Sequence, residues 1–339
     1  MLFYTQNRKE LIRTKVELLI SSADTETLYL PAVVEGIEWT TQRSGAPGKL
    51  TFSVISDGRA DLSEGSSVRL RVDGKNVFFG FVFSKKRDKS GVIDVTAYDQ
   101  LRYLQNKDTY VYENKTASQL VCMIAAEFSL NVGTIENTGY VIPSRVEDNT
   151  SLLDMIENAL DLTLQNRKEM YVLYDDFGRL TLKNTANMYV GESGKYLMID
   201  QQTGENFDCT SSIDNDTYNR IKLTYDNKDT GKREVYIAQD AASMNRWGVL
   251  QYFDTLSEGE NGQAKAEALL SGYNAKTRKL KLTGAFGDTR VRAGSTVAVN
   301  LDLGDTKVQT FMLVEKAVHT FKQDEHRMEL TLKGGEFVA

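Results

Sequence analysis

The sequence predicts an α+β fold, mainly β, in which two similar β domains of barrel or sandwich type are linked by a small α/β domain. Three observations carry this expectation. The 339 residues include 16 Tyr and 14 Phe but only 3 Pro, a balance that suits strands, which favour aromatic side chains and exclude interior proline. Apolar and polar residues alternate with a period of two towards both ends of the chain, whereas the middle carries the 3.6-residue period of helices. A short pattern with its flanking turns also occurs twice, once near each end. The domains read as 1–105 for the first β domain, 106–190 for the α/β unit and 191–339 for the second β domain, with an α/β insertion at about 233–275.

Within 1–105 the expected strands are Val16–Ile20, Leu28–Val34, Lys49–Ile55, Ser67–Val72, Val77–Phe83 and Gly91–Tyr98. Arg43-Ser44-Gly45-Ala46-Pro47-Gly48, Asp57-Gly58 and Asp73-Gly74 supply the residue types that turns need. At Thr116 the period changes. Thr116-Ala117-Ser118-Gln119 has the capping-box pattern, in which the Thr oxygen and the Gln side chain satisfy backbone N–H groups reciprocally. Ala117, Leu120, Val121, Ile124, Ala125 and Phe128 then share one helix face. A second amphipathic helix covers Ser151–Gln165, with Leu152, Leu153, Ile156, Ala159 and Leu160 inward. Met170–Tyr174 and Arg179–Leu182 flank the turn Asp175-Asp176-Phe177-Gly178 as a hairpin.

From about 191 the chain returns to strands. Asn219–Tyr225 and Arg233–Ile237 flank the polar turn Asp226–Gly231, and Gln263–Ser271 reads as a helix. Strands at Lys279–Thr283, Thr296–Leu301, Val308–Val314 and Arg327–Leu332 complete the second β domain.

The repeat aligns Gly65-Ser66-Ser67-Val68-Arg69-Leu70-Arg71-Val72-Asp73 with Gly294-Ser295-Thr296-Val297-Ala298-Val299-Asn300-Leu301-Asp302. Each copy is followed by a short Gly-containing turn, an apolar strand, a polar turn and an alternating strand. The inward positions agree: Val68, Leu70 and Val72 match Val297, Val299 and Leu301. Arg69 and Arg71 stand outward where the second copy has Ala298 and Asn300, because period-two geometry sends the two sets to opposite faces. Duplication of one β domain explains the agreement, and two copies per chain suit a ring.

Composition and charge remove several classes of function. The net charge is −6 with acids and bases interleaved, which argues against binding driven by nucleic-acid phosphates. The apolar runs around Gly80 are far too short to span a bilayer. The N-terminus lacks the apolar core of a secretory signal, so synthesis and folding in the cytosol are expected. Cys122 and Cys209 are too few and too distant for a disulfide framework or a zinc site. Cys122 also lies six residues beyond the Thr116 cap, away from the helix N-terminus that would activate a thiolate. It reads as a small packing residue.

His319 and His326 flank the turn Lys322-Gln323-Asp324-Glu325 and could sit diagonally on one face, within reach of a shared metal. No third ligand of clear spacing accompanies them, and they read as surface hairpin residues. Asp214-Asn215-Asp216 and Asp226–Gly231 have the composition of calcium loops without the ligand spacing or closing Glu. Gly45-Ala46-Pro47-Gly48-Lys49 and Gly191-Glu192-Ser193-Gly194-Lys195 are too short for a phosphate-binding loop. No catalytic, cofactor-binding or metal site is therefore expected. The one basic patch, Arg69 and Arg71 with Lys85, Lys86 and Arg87, reads as a solvated strand face or as a contact for an acidic partner surface.

Several stretches resemble a known family. Tyr98-Asp99-Gln100-Leu101-Arg102-Tyr103-Leu104-Gln105-Asn106-Lys107-Asp108 resembles the XkdQ/YqbQ group of phage tail proteins. So do Thr116-Ala117-Ser118-Gln119-Leu120, Gly139-Tyr140-Val141-Ile142-Pro143 and Tyr174-Asp175-Asp176-Phe177-Gly178-Arg179-Leu180-Thr181-Leu182. Ser243-Met244-Asn245-Arg246-Trp247-Gly248 is similar to a turn of tail hubs, and Arg292–Val297 and Ala317–Phe321 fit the same pattern.

The resemblance implies a baseplate hub of the late-control-protein-D type, located in a virion or tail-like particle. Its two β domains would be tube-like, and a homotrimer would form a pseudo-sixfold ring. The implied partners are the tail tube protein, the central spike protein, the tape-measure protein and baseplate wedge proteins, with no specific nucleic acid and no membrane insertion. Two rivals stand beside this: a tail-borne peptidoglycan hydrolase, and the tip hub of a non-contractile tail.

Overall fold

The computed structural model describes residues 2–5, 14–21, 28–34, 36–55, 62–214, 217–227, 230–256, 261–304, 307–334 and 337–338. The Asp57-Gly58 turn, Asn215-Asp216 and part of the Asp226–Gly231 turn lie outside the described residues. Contacts divide the chain into two units, Met1–Asp208 with Leu280–Ala339, and Cys209–Lys279.

The first unit holds both copies of the repeat. In the first copy the strand order is Ile37–Gln42, Lys49–Ile55, Val92–Tyr98, Lys75–Arg87, Ser67–Val72 and Val16–Ser21, each antiparallel to its neighbour. The second copy repeats that order with Asn206–Ser212, Thr277–Phe286, Glu325–Lys333, Lys307–Lys322, Thr296–Asp302 and Lys195–Asp200. One polarity differs: Lys195–Asp200 runs parallel to its neighbour, whereas Val16–Ser21 is antiparallel. Among the described residues no sheet closes into a barrel.

Local detail agrees between the copies. Val68 and Val297 are both wholly buried. Val68 stands opposite Gly80 and Val297 opposite Met312. Further along, the register against the next strand slips between Val82 and Ser84 in one copy and between Val314 and Lys316 in the other. The extra residues, Phe83 and Glu315, occupy the same place in the repeat. A bulge inserts one unpaired residue and bends the strand, so its recurrence at one position points to duplication.

The turn before the repeat is also shared. Gly65 N–H donates to the Val82 carbonyl at 2.8 Å, and Gly294 N–H donates to the Val314 carbonyl at 2.8 Å. The Val82 and Val314 N–H groups return bonds to the Ser66 and Ser295 carbonyls. Gly65 and Gly294 have φ of 91° and 89°, backbone that only glycine adopts without strain.

Outward positions behave differently from the expectation. Arg69 stands opposite Phe79 with its guanidinium 5.6 Å from the ring centre. Ala298 stands opposite Phe311, whose ring packs on Tyr189 and Tyr196. That aromatic cover leaves Ala298 buried rather than outward and solvated.

Between the copies, helix Ala117–Glu127 begins with the predicted capping box of Thr116 and Gln119. Helix Leu152–Arg167 is capped by the Ser151 side chain and ends on Lys168 at φ 61°. Leu120, Ile124, Leu152, Ile156, Leu180 and Leu182 form the centre of this core, all at 0% exposure. Each such side chain contributes roughly 1.5–3 kcal/mol on burial. The long antiparallel ribbon Lys107–Thr116 with Val141–Ser151 was not foreseen. Its exposed edge residues blur the period-two signal: Val111 and Val146, paired across it, are both largely exposed.

Two further strands differ from the sequence reading. Leu28–Val34 is a strand only over Leu28–Tyr29, since Pro31 has no N–H to give a ladder. Ile37–Gln42 is a strand that composition did not single out, with Ile37, Trp39 and Thr41 inward.

The second unit has its own core. Lys232–Gln239, Arg220–Asn227 and Gln251–Thr255 form a three-stranded sheet, the first pair antiparallel and the second parallel. Helix Gly262–Tyr273 contributes Ala266 to the core with Ile221 and Leu223. Ser243–Trp247 lies in a short helix, Ala241–Trp247, rather than a turn; Asp240 caps its start and Gly248, at φ 78°, ends it. No helix among the described residues is long and apolar enough to cross a membrane.

Candidate functional site

Three of the segments quoted for the family resemblance, Tyr98–Asp108, Tyr174–Leu182 and Arg292–Val297, meet in space. Asp99 accepts backbone bonds from Gly48 N–H at 2.9 Å and Leu101 N–H at 3.1 Å, which ties the first β copy to the short helix Gln100–Gln105. Gln100 donates through Nε2 to Asp175 Oδ2 at 2.8 Å and to the Asn131 carbonyl at 3.2 Å, and its Oε1 accepts from Asn131 N–H. Asp175 Oδ1 closes its own turn by accepting from Gly178 N–H. From the second copy, Arg292 Nη2 donates to the Asp175 carbonyl at 3.0 Å, and its guanidinium lies 3.8 Å from the Tyr174 ring centre. Ala293 N–H donates to Thr41 Oγ1 at 2.9 Å.

This junction is buried and charged. Burial, and then the neighbouring Asp175 carboxylate, hold the Asp99 carboxyl well above the ordinary range. Burial raises the Asp175 carboxyl and lowers the Arg292 guanidinium. Such groups are stable inside a protein only when nearly every polar atom has a partner. The arrangement fixes three parts of the chain against one another.

A second junction joins the copies edge to edge. Strand Ile37–Gln42 pairs antiparallel with the Lys316–Phe321 half of the long strand in the second copy. At the bulge, Arg43 N–H donates to the Glu315 carbonyl at 2.9 Å, and Arg43 Nε lies 3.0 Å from both Glu315 carboxylate oxygens. Trp39 stacks on His319 with ring centres 4.7 Å apart.

Of the residues considered for chemistry, the two histidines meet each other. Cys122 is exposed on its helix, not packed as the sequence suggested; it falls on the solvent face of an amphipathic helix whose inward face is already filled. His319 and His326 are buried at 0% and 6% exposure, not on the surface. They sit on facing strands, and the Trp39 and Phe321 rings cover them. Their ring nitrogens, His319 Nδ1 and His326 Nε2, are hydrogen-bonded to each other at 2.8 Å, and His319 Nε2 bonds the Val291 carbonyl. No group of three His, Cys, Asp or Glu residues that could hold a metal occurs among the described residues. Gly191–Lys195 is a tight hairpin with Ser193 and Gly194 at positive φ.

Of the basic patch, Arg69 is engaged by Phe79, and Lys85 pairs with Glu64 at 3.5 Å. Lys85, Lys86 and Arg87 are exposed at the end of their strand. Sequence reasoning missed Asp99, Gln100, Asp175 and Arg292 as a network. Polar residues conspicuous within otherwise apolar strand ends were the available signal.

Comparison with known proteins agrees with this architecture. The sequence pattern of the YqbQ-like family matches residues 37–333. YqbQ of Bacillus subtilis (strain 168), described as uncharacterised, is 31% identical over 317 residues, covering 90% of this chain and 93% of that protein. The phage-like element PBSX protein XkdQ of the same organism is 31% identical over 318 residues, covering 90% and 94%. Among solved structures, a tail protein from Neisseria meningitidis MC58 aligns with a TM-score of 0.68 at 14% identity, covering 94% of this chain and 96% of that one. The fold is thus shared with phage tail proteins. By sequence pattern and by identity over nine-tenths of its length, this chain belongs to the YqbQ-like family.

Proposed function

We propose that this protein is a structural component of a phage-type tail: the homotrimeric baseplate hub that joins the tail tube to the central spike. The observation that carries the reading is the duplication, with strand order, bulge and turn shared by both copies. Two like β domains per chain give six ring positions from three chains, and closed cyclic symmetry ends head-to-tail contacts without filaments. The three domains would be those expected from sequence, two tube-like β domains with an α/β unit between them. The fold shared with tail proteins and the family membership support a place in the tail.

The role is mechanical and geometric, matching a sixfold tube to a threefold spike around a lumen for the tape-measure protein. Tube, spike and wedge proteins are its partners. No catalysis is assigned, because the groups a cell-wall hydrolase would need are otherwise engaged: each of His319's ring nitrogens has a protein partner, and Cys122 is remote from both histidines in sequence and element. The test is imaging of assembled particles. Three copies at the level between tube and spike, with six similar β domains lining the lumen, are expected. Six copies, or one, would overturn the hub reading, and release of peptidoglycan fragments by purified protein would overturn the structural one.

A further inference from the structure

The three-stranded sheet of the second unit buries one face and leaves apolar residues exposed on the other. Ile221, Leu223 and Ala238 point to the face on which helix Gly262–Tyr273 packs. Alternate residues of the same strands point the opposite way. There Ile237, Lys222 and Phe253 stand side by side across the sheet, with Val235 two residues before Ile237 on the same face. Val235, Ile237 and Phe253 are 49%, 40% and 55% exposed. The charges on this face are as informative. Arg220 and Lys222 project from the centre strand, both half-buried, and among the described residues neither forms an ion pair or a side-chain hydrogen bond. Arg220 Nε is buried without any hydrogen-bond partner. The carboxylate that this face of the sheet carries, Asp226, is already held by Arg233 through bonds of 2.6 and 2.9 Å. Cations drawn partly out of water without a partner are costly, and here two lie together in a chain whose net charge is −6.

We infer that this face docks an acidic amphipathic helix of another protein. Residues two apart on a strand are separated by roughly 6–7 Å, and residues four apart on a helix rise by about 6 Å. Two carboxylates one turn apart, on a helix lying along Arg220–Asn227, therefore meet Lys222 and Arg220 together. Apolar residues beside them on the helix reach Ile237 on one flank and Phe253 on the other. The sheet then has a helix on each face, an arrangement that buries both. Complementary charge selects the partner, because a basic helix of the same shape would leave four cations facing one another. The inference goes beyond the hub reading: it stands on the second unit's own sheet and holds whatever the number of copies in a particle.

Photocrosslinking in assembled particles tests this, with p-benzoylphenylalanine replacing Phe253 or, separately, Ile237 in the full-length chain. Circular dichroism of each purified variant confirms its fold. Mass spectrometry of the adduct from either position should map to a segment of another particle protein, with two carboxylates four residues apart beside an apolar stripe. Adding Lys222→Glu should lower the adduct yield about tenfold or more, the scale of turning one close charge pair into a repulsion. Lys222→Arg, which keeps the charge, should preserve the yield. An adduct to a second copy of this chain or to lipid, or to a segment without that acidic pair, would overturn the inference. So would a yield unchanged by Lys222→Glu, or no adduct from both positions.

Discussion

His319 Nδ1 and His326 Nε2 lie 2.8 Å apart across a hairpin whose turn, Gln323-Asp324, has both residues at positive φ. Because His319 Nε2 faces the Val291 carbonyl, which can only accept, that nitrogen carries the proton. His319 Nδ1 must then accept, and His326 Nε2 donates to it. His319 is therefore neutral, and protonating it at Nδ1 would break the bond. Burial, chiefly, lowers the His319 pKa to about 4; burial and the adjacent His319 lower that of His326 to about 2.

This pair makes stability depend on pH in a defined direction. The unfolded chain takes up protons below about 6.5, where the folded rings do not. Stability is complete above that value and is lost as pH falls towards 4, by roughly 1.4 kcal/mol per pH unit for each histidine. Urea midpoints measured at several pH values should fall accordingly. His326→Gln should flatten the slope, and a slope unchanged in that variant would exclude the histidines as its source.

Arg292 joins the second copy to the rest of the first unit through the Tyr174 ring and the Asp175 carbonyl. Arg292→Met removes the cation beside two buried carboxyls and should cost about 3–5 kcal/mol, the range for breaking a buried charged arrangement. Arg292→Lys should recover only part of this, since an ammonium lacks the planar face that stacks on tyrosine. Equal stability of the Lys variant and the parent in chemical denaturation would show that the stacking contributes nothing.

Gly65 and Gly294 share a backbone conformation but not surroundings. A Cβ at Gly65 would meet nothing within 4 Å, whereas one at Gly294 would lie 2.6 Å from Val172 Cγ1. Gly65→Ala should therefore cost roughly 1–2 kcal/mol for the left-handed backbone alone. Gly294→Ala should cost a further 1–3 kcal/mol or so for overpacking against the hairpin of the α/β unit. Thermal unfolding of the two variants side by side checks the order.

Cys122 is exposed on a folded helix. It should react with a maleimide in native buffer without loss of helical signal, and Cys122→Ala should leave thermal stability within about 0.5 kcal/mol of the parent. A thiol that reacts only after denaturation would contradict its exposure.

Periodicity alone determined much of this molecule. The capping box at Thr116, both helix faces of the α/β unit, the Tyr171–Asn184 hairpin and the repeat with its inward valines are all local patterns. Each is set by residues a few positions apart, so each is legible in one dimension. Tertiary structure alone decided which strand edges join, because any strand offers the same backbone groups on either side. That is why the pairing of Ile37–Gln42 with Lys316–Phe321 could not be anticipated. It also decided the fate of the polar residues: Asp99, Asp175 and Arg292 became a buried junction, His319 and His326 became each other's partners, and Cys122 stayed in solvent. Burial depends on what arrives from distant parts of the chain, and a polar residue in a strand carries no local mark of which neighbour will cover it.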